Sequence, residues 1–236
     1  MSIMHTTTNF KEILRVLQIC DSTFPVGSFN HSYGMETYMR NGKITDTQSL
    51  EKWLNTFLLN QFVYTEGLTV RLTYEYLQNN DKEALWQLDK YVTVQNMARE
   101  SRDGGKLVAA RMSHLILEIY DISLLKEYRK RMIQKKSYGN PAIVFAIAMM
   151  KIGIPVEAAI TYYGYSIIAT QVQNAVRTVP LGQKDGQVLL NKSFDILEKA
   201  CEKIIMTEEK DLGANIPGLE MSQINHETLI FRLFMS

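Results

Sequence analysis

The residues able to hold a metal or pass a proton are few and scattered. His5, His31, His114 and His226 stand far apart, and Cys20 and Cys201 lie at opposite ends of the chain. There is no HxH, HExxH or CxxC, whereas a closed structural metal site draws about four ligands from such clusters. No dedicated metal cage is expected. A transient or shared ligand stays open, with His31 and His226 of most interest because both sit in irregular segments. The cysteines read as buried thiols, since free Cys behaves as a small hydrophobe. No Walker A or GxGxxG motif is present, and Gly104-Gly105 alone reads as a helix irregularity. No GxSxG elbow occurs either, so an autonomous enzyme is not expected. The basic run Lys126, Arg129, Lys130, Arg131, Lys135, Lys136 spreads around its helix and reads as a solvated face.

Composition narrows the class further. The 236 residues carry 26 Lys+Arg against 25 Asp+Glu, and 46% are hydrophobic. That is a globular balance with length enough for a real core. Near-neutral charge disfavours a protein that holds nucleic acid by neutralising its backbone. The start shows no basic region followed by an apolar stretch, so no secretory signal is expected. The longest apolar run, Ala142 to Met150, is too short to span a bilayer. A cytoplasmic protein away from the membrane is the expectation.

The elements that must position these residues are helical. Asn9 and Glu12 have capping-box spacing before Phe10, Ile13, Leu14 and Leu17. Asp46 suits the cap of a helix with Leu50, Trp53, Leu54, Phe57, Leu58 and Phe62 on one stripe. Asn80-Asp81 opens another, and Leu107, Val108, Met112, Leu115, Ile116 and Ile119 form an i, i+3, i+4 ladder. Asp121 is read as the cap of the basic helix. Pro155 suits the first turn of a long helix reaching Val179, which Pro180 stops. Asp185-Gly186 is read as a turn, followed by a helix whose Leu190, Phe194, Leu197, Cys201 and Ile204 make a packing seam. No strand pattern or repeat is seen. The expected fold is an all-α, single-domain bundle of about ten helices, with 1–8 a flexible N-terminus and 207–236 a partner-binding C-terminal segment.

Three segments break the helical pattern: residues 21–34, 99–106 and the apolar C-terminus. The last ends Leu229-Ile230-Phe231-Arg232-Leu233-Phe234-Met235, a strip that must pack on its own domain or on a partner. Tyr162, Tyr163, Tyr165 and Arg177 on the long helix are residue types that anchor interfaces or line a core edge.

These segments resemble the urease accessory protein UreF family. Asp21 to Glu36, DSTFPVGSFNHSYGME, resembles its opening signature. Arg177 to Gln187, RTVPLGQKDGQ, resembles its PLGQ…DGQ loop. His226-Glu227-Thr228-Leu229 with the final RLFMS is similar to its ending, and Arg99-Glu100-Ser101-Arg102 to its internal arginine-rich turn. One position departs: many relatives have His where this chain has Asn140 after Gly139.

The resemblance implies a non-enzymatic, dimeric nickel-insertion chaperone. It would join UreD (UreH) to the GTPase UreG and deliver nickel to apo-urease in a GTP-dependent way. Arg177, Gly182, Gln183 and Gln187 would face UreG, and Tyr165 would belong to that surface or to the dimer. Glu220, His226, Glu227, Arg232 and Phe234 would bind UreD on a tail that orders against it. Asp21, Pro25, Gly27, His31, Ser32, Gly34 and Glu36 match the N-terminal signature. No cofactor would be stably bound; nickel would be in transit, with no tight site. Arg177 would act as a docking salt bridge rather than an arginine finger. The rival readings are an adaptor for another small GTPase and a ligand-binding helical-bundle enzyme.

Overall fold

The computed structural model describes residues 10–214 and 216–235. The helices are α1 (Phe10–Cys20), α2 (Met35–Arg40), α3 (Thr47–Phe57), α4 (Leu68–Gln78), α5 (Lys82–Gln95), α6 (Arg99–Ile119), α7 (Ser123–Ile133), α8 (Pro141–Ile152), α9 (Val156–Thr178), α10 (Gln183–Met206) and α11 (Pro217–His226). A π-helical stretch, Leu58–Gly67, joins α3 to α4 without a break, so these eleven segments make ten continuous rods. Among the described residues there is no strand, only one isolated parallel bridge between His31 and Met235. The expected all-α domain of about ten helices is what forms. The proposed flexible segment 1–8 and the cap residue Asn9 lie outside the described residues.

Local chemistry sets the helix ends. Asp46 takes the Ser49 N–H at 2.8 Å while Ser49 Oγ receives the Asp46 N–H at 3.1 Å, a reciprocal capping box. Asp81 caps α5 through the Ala84 N–H. Asn140 takes the Ala142 N–H at 2.9 Å, with Pro141 at the first position of α8. Asp121 does not cap α7: Ile122 holds that place, and Asp121 pairs with Lys126 at 2.8 Å. Residues 99–106 do not interrupt a helix either; α6 runs unbroken through both glycines.

The core is built on α8. Every residue from Ala142 to Met149 is buried, the all-round apolar surface of a central helix. It packs against α4, α6 and α9, while α10 closes the other side of α9 and covers the π stretch. The α9–α10 connection is shorter than its sequence suggests. α10 begins at Gln183, so Asp185 and Gly186 sit in its first turn, not in a loop. Asp185 takes the Gly182 N–H at 3.3 Å, and Gly186 is buried where a Cβ would come within 2.8 Å of Val176.

Candidate functional site

Two features collect the polar residues that packing does not explain. The first is a junction between the N-terminal signature and the chain's end. Gly27 and Gly34 adopt left-handed backbone, and so does Tyr33 at φ 51°. These reversals turn the chain so that Glu36 begins α2 inside the protein. Its carboxylate receives the Leu233 N–H at 2.8 Å and the Phe234 N–H at 3.0 Å. Alongside, Ser32 N–H donates to Met235 O and Met235 N–H to Asn30 O. Asn174 of α9 fixes the His31 carbonyl at 3.2 Å.

His226, at the end of α11, lies fully buried between two carboxylates. Nε2 is 3.0 Å from Glu36 and Nδ1 is 2.6 Å from Glu100. Arg232 reaches the other oxygen of Glu100 at 2.9 Å, and Glu227 receives the Glu100 N–H at 3.3 Å. Burial pushes the Glu36 carboxyl up, but His226, the two tail N–H groups and Arg40 outweigh it and hold the group below the usual carboxylate range. The two acids approach opposite ring nitrogens, so they clamp the imidazole and do not converge on one ion. Among the described residues no group of three or more His, Cys, Asp or Glu could hold a metal.

The second feature is a cavity of about 860 Å³. Its wall includes Cys20 at the end of α1 and Asp21 just after it, His31 and Tyr33 of the signature, and Gln61, Thr65 and Glu66 of the π stretch. Tyr163, Tyr165 and Arg177 of α9, Gln187 of α10, and Glu220 and Gln223 of α11 also line it. Burial pushes the Cys20 thiol up to about 12 and raises the Glu66 carboxyl.

The structure places the sequence-predicted residues unevenly. Arg177, Gly182, Gln183 and Gln187 are exposed on one side, with Tyr165 40% exposed and its ring 6.2 Å from Phe194. Of these, Gly182 and Gln183 do not line the cavity. His226, Glu227, Arg232 and Phe234 meet at the junction, whereas Glu220 reaches the cavity wall. Asp21 is exposed and forms a turn, taking the Thr23 N–H and hydroxyl at 2.7 and 2.6 Å, which lowers its pKa. Pro25 is exposed, and Ser32 is buried with its hydroxyl unpartnered. Sequence reasoning did not single out Glu100, Tyr33, Gln61 or Glu66. Glu66 carried a signal: it is the lone acid between Glu51 and Glu75. Gly104 is no irregularity; a Cβ there would lie 2.3 Å from His31 Cε1, so the glycine lets α6 reach the signature.

Fold and site define an all-α protein whose C-terminal tail packs on its own N-terminal signature beside a large, partly open cavity. The UreF family profile matches residues 44–193. A urease accessory protein UreF of Streptococcus salivarius (strain 57.I) is 46% identical over 228 residues, covering 97% of this chain and 96% of its own. That of Lachnoclostridium phytofermentans is 42% identical over 224 residues, covering 95% and 98%. That of Bacillus sp. (strain TB-90) is 41% identical, covering 95% and 99%. The chain belongs to the UreF family of urease accessory proteins.

Proposed function

We propose that this chain is a scaffold for nickel insertion, joining UreD (UreH) to the GTPase UreG during GTP-dependent activation of apo-urease in the cytoplasm. It works as a homodimer, holds no stable cofactor and passes nickel through without storing it. One observation carries the reading. A single cavity is lined both by Arg177, Tyr165 and Gln187, on the side assigned to UreG, and by Glu220 and Gln223, on the element that leads into the tail assigned to UreD. A continuous space between two docking sides, with polar groups set among apolar ones, suits a cargo handed from one partner to the other. No helix among the described residues is long and apolar enough to cross a membrane.

The test is the mass of the assembly formed on mixing the chain with UreD and UreG, with and without GTP and nickel. A ternary complex is expected; binding to neither partner sinks the reading. The cavity also favours a second reading, a bundle that binds a small organic ligand, because its size matches ligand pockets of a few hundred to about 1,000 Å³. A native mass spectrum carrying an extra small-molecule mass would favour that alternative.

A further inference from the structure

The ring of His226 meets a carboxylate oxygen at each nitrogen. Nε2 lies 3.0 Å from Glu36 Oε2 and Nδ1 lies 2.6 Å from Glu100 Oε2. A neutral imidazole has one N–H and one lone pair, so it can donate to only one of the two. The other contact would set a lone pair against a carboxylate, unless that acid carried a proton. Neither acid is placed to carry it. Glu36 already accepts the Leu233 N–H and Arg40 on one oxygen and the Phe234 N–H on the other. Glu100 accepts Arg232 on its second oxygen. Carboxylates are also weaker bases than imidazole. The proton therefore belongs on the ring, where an imidazolium donates at both ends. The side chain is fully buried, so water is not at hand to replace a lost partner. α11 packs on α2 and α6. The charged groups around the ring are Glu36 and Arg40 of α2, Glu100 of α6 and Arg232 of the tail, with Glu227 beside Glu100.

We infer that the docked chain end holds a proton on His226 that the released chain end gives up, so that the junction is a proton-operated latch. On release the end of α11 and the tail leave α2 and α6 together. One ring N–H bond then breaks, its proton goes to water, and both carboxylates stay ionised. A free imidazole gives up this proton above roughly pH 6.5. Below that pH both states hold it, and docking does not vary. Above it only the docked state does, so docking weakens as pH rises, by as much as about tenfold per pH unit. The latch rests on the geometry alone. That it also sets the pH dependence of UreD capture rests on the proposed function.

Hydrogen exchange at the Leu233 and Phe234 amides of the full-length chain, corrected for intrinsic rates, tests it from roughly pH 6 to 9. Wild-type protection is expected to be level at the acid end and to fall by up to about tenfold per pH unit above neutrality. In Glu100→Gln the new amide can donate to the lone pair of a neutral ring. That variant should keep its tail protected and lose the slope. His226→Gln should show weaker protection with no slope, and its spectrum identifies the His226 ring signals by their absence. Wild-type ring ¹⁵N shifts should show both His226 nitrogens protonated at about pH 7.5. A neutral His226 ring at that pH overturns the latch. So does a slope that survives Glu100→Gln, which would belong to His31, the other imidazole beside the tail. UreD capture by wild type should weaken over the same range. An exchange slope without UreD binding would count against the scaffold reading alone; UreD binding with a level exchange profile would remove only the latch.

Discussion

Glu36 and His226, separated by 190 positions in sequence, meet at 3.0 Å with both side chains sealed from water. One belongs to the opening signature and the other to the chain's end. Their pairing makes the tail part of the fold. The resemblance alone had suggested a tail that orders against a partner. Leu233, Phe234 and Met235 sit on Glu36, Asn30 and Ser32 of the same chain.

The pair makes stability depend on acidity. Glu36 has its pKa lowered by folding from an ordinary 4.5. Its contribution is therefore fully present above that value and is lost as pH falls through the depressed one. His226→Ala leaves the buried Glu36 carboxylate one hydrogen-bond partner short, at a cost of about 1–3 kcal/mol. Glu36→Gln should cost less near neutrality and flatten the acid limb of the stability curve. Urea denaturation between pH 3 and pH 7 reads both effects. An identical acid limb in wild type and Glu36→Gln would refute the assignment.

Two glycines separate backbone strain from close approach. Gly42 has φ +66° with nothing within 4 Å of a built Cβ, so Gly42→Ala meets strain alone, about 1–2 kcal/mol. Gly34 has φ +83°, and its Cβ would fall 2.2 Å from Ser222 Oγ and 3.0 Å from the Gln223 side chain. Gly34→Ala must also push α11 from α2. It should lower thermal stability well beyond Gly42→Ala and raise protease cleavage of the tail. Equal losses in the two variants would show that the contact of α2 with α11 is slack.

Helical periodicity carried most of the fold into view, because apolar stripes follow directly from burial. Asp46, Asp81 and Pro155 mark helix starts as their chemistry requires. Asp121 failed because Ile122 can open a helix without a side-chain cap and Lys126 competes for the acid. Asp185-Gly186 has turn composition, but Gly186 is demanded by Val176 packing and Asp185 serves the helix start. The junction could be sensed at His31 and His226 and in the apolar tail, yet not its partners. Glu100 lies in a segment that reads as an irregularity, and only long-range packing brings it to His226. The π stretch was invisible, since its sequence keeps a plain apolar stripe.

Arg177 closes α9 with an exposed guanidinium that favours the helix dipole. Removing it exposes no core and strands no buried charge. Arg177→Ala should leave unfolding free energy within about 0.5 kcal/mol of wild type. In the scaffold reading it should weaken UreG binding by about 10-fold or more, as loss of an interface anchor does. Calorimetry or biolayer interferometry with UreG decides. Full retention of affinity would remove Arg177 from the docking surface.

The tail offers a sharper division, because its apolar residues split by burial. Phe234 is 9% exposed and faces the fold. Ile230, Phe231 and Leu233 are exposed, with Arg40 5.1 Å above the Phe231 ring. If the tail only completes the domain, Phe234 carries its energy and the exposed trio is idle. If it also binds UreD, the exposed trio forms the contact, held out by Glu36 behind it. Phe234→Ala should cost about 3 kcal/mol of stability and reduce UreD binding indirectly. Ile230→Ser with Phe231→Ser should leave stability within about 0.5 kcal/mol and still abolish UreD capture. The two variants therefore move the two readouts in opposite proportion, which a deletion of residues 226–236 cannot do. Undiminished UreD binding by the double variant would confine the tail to a structural role.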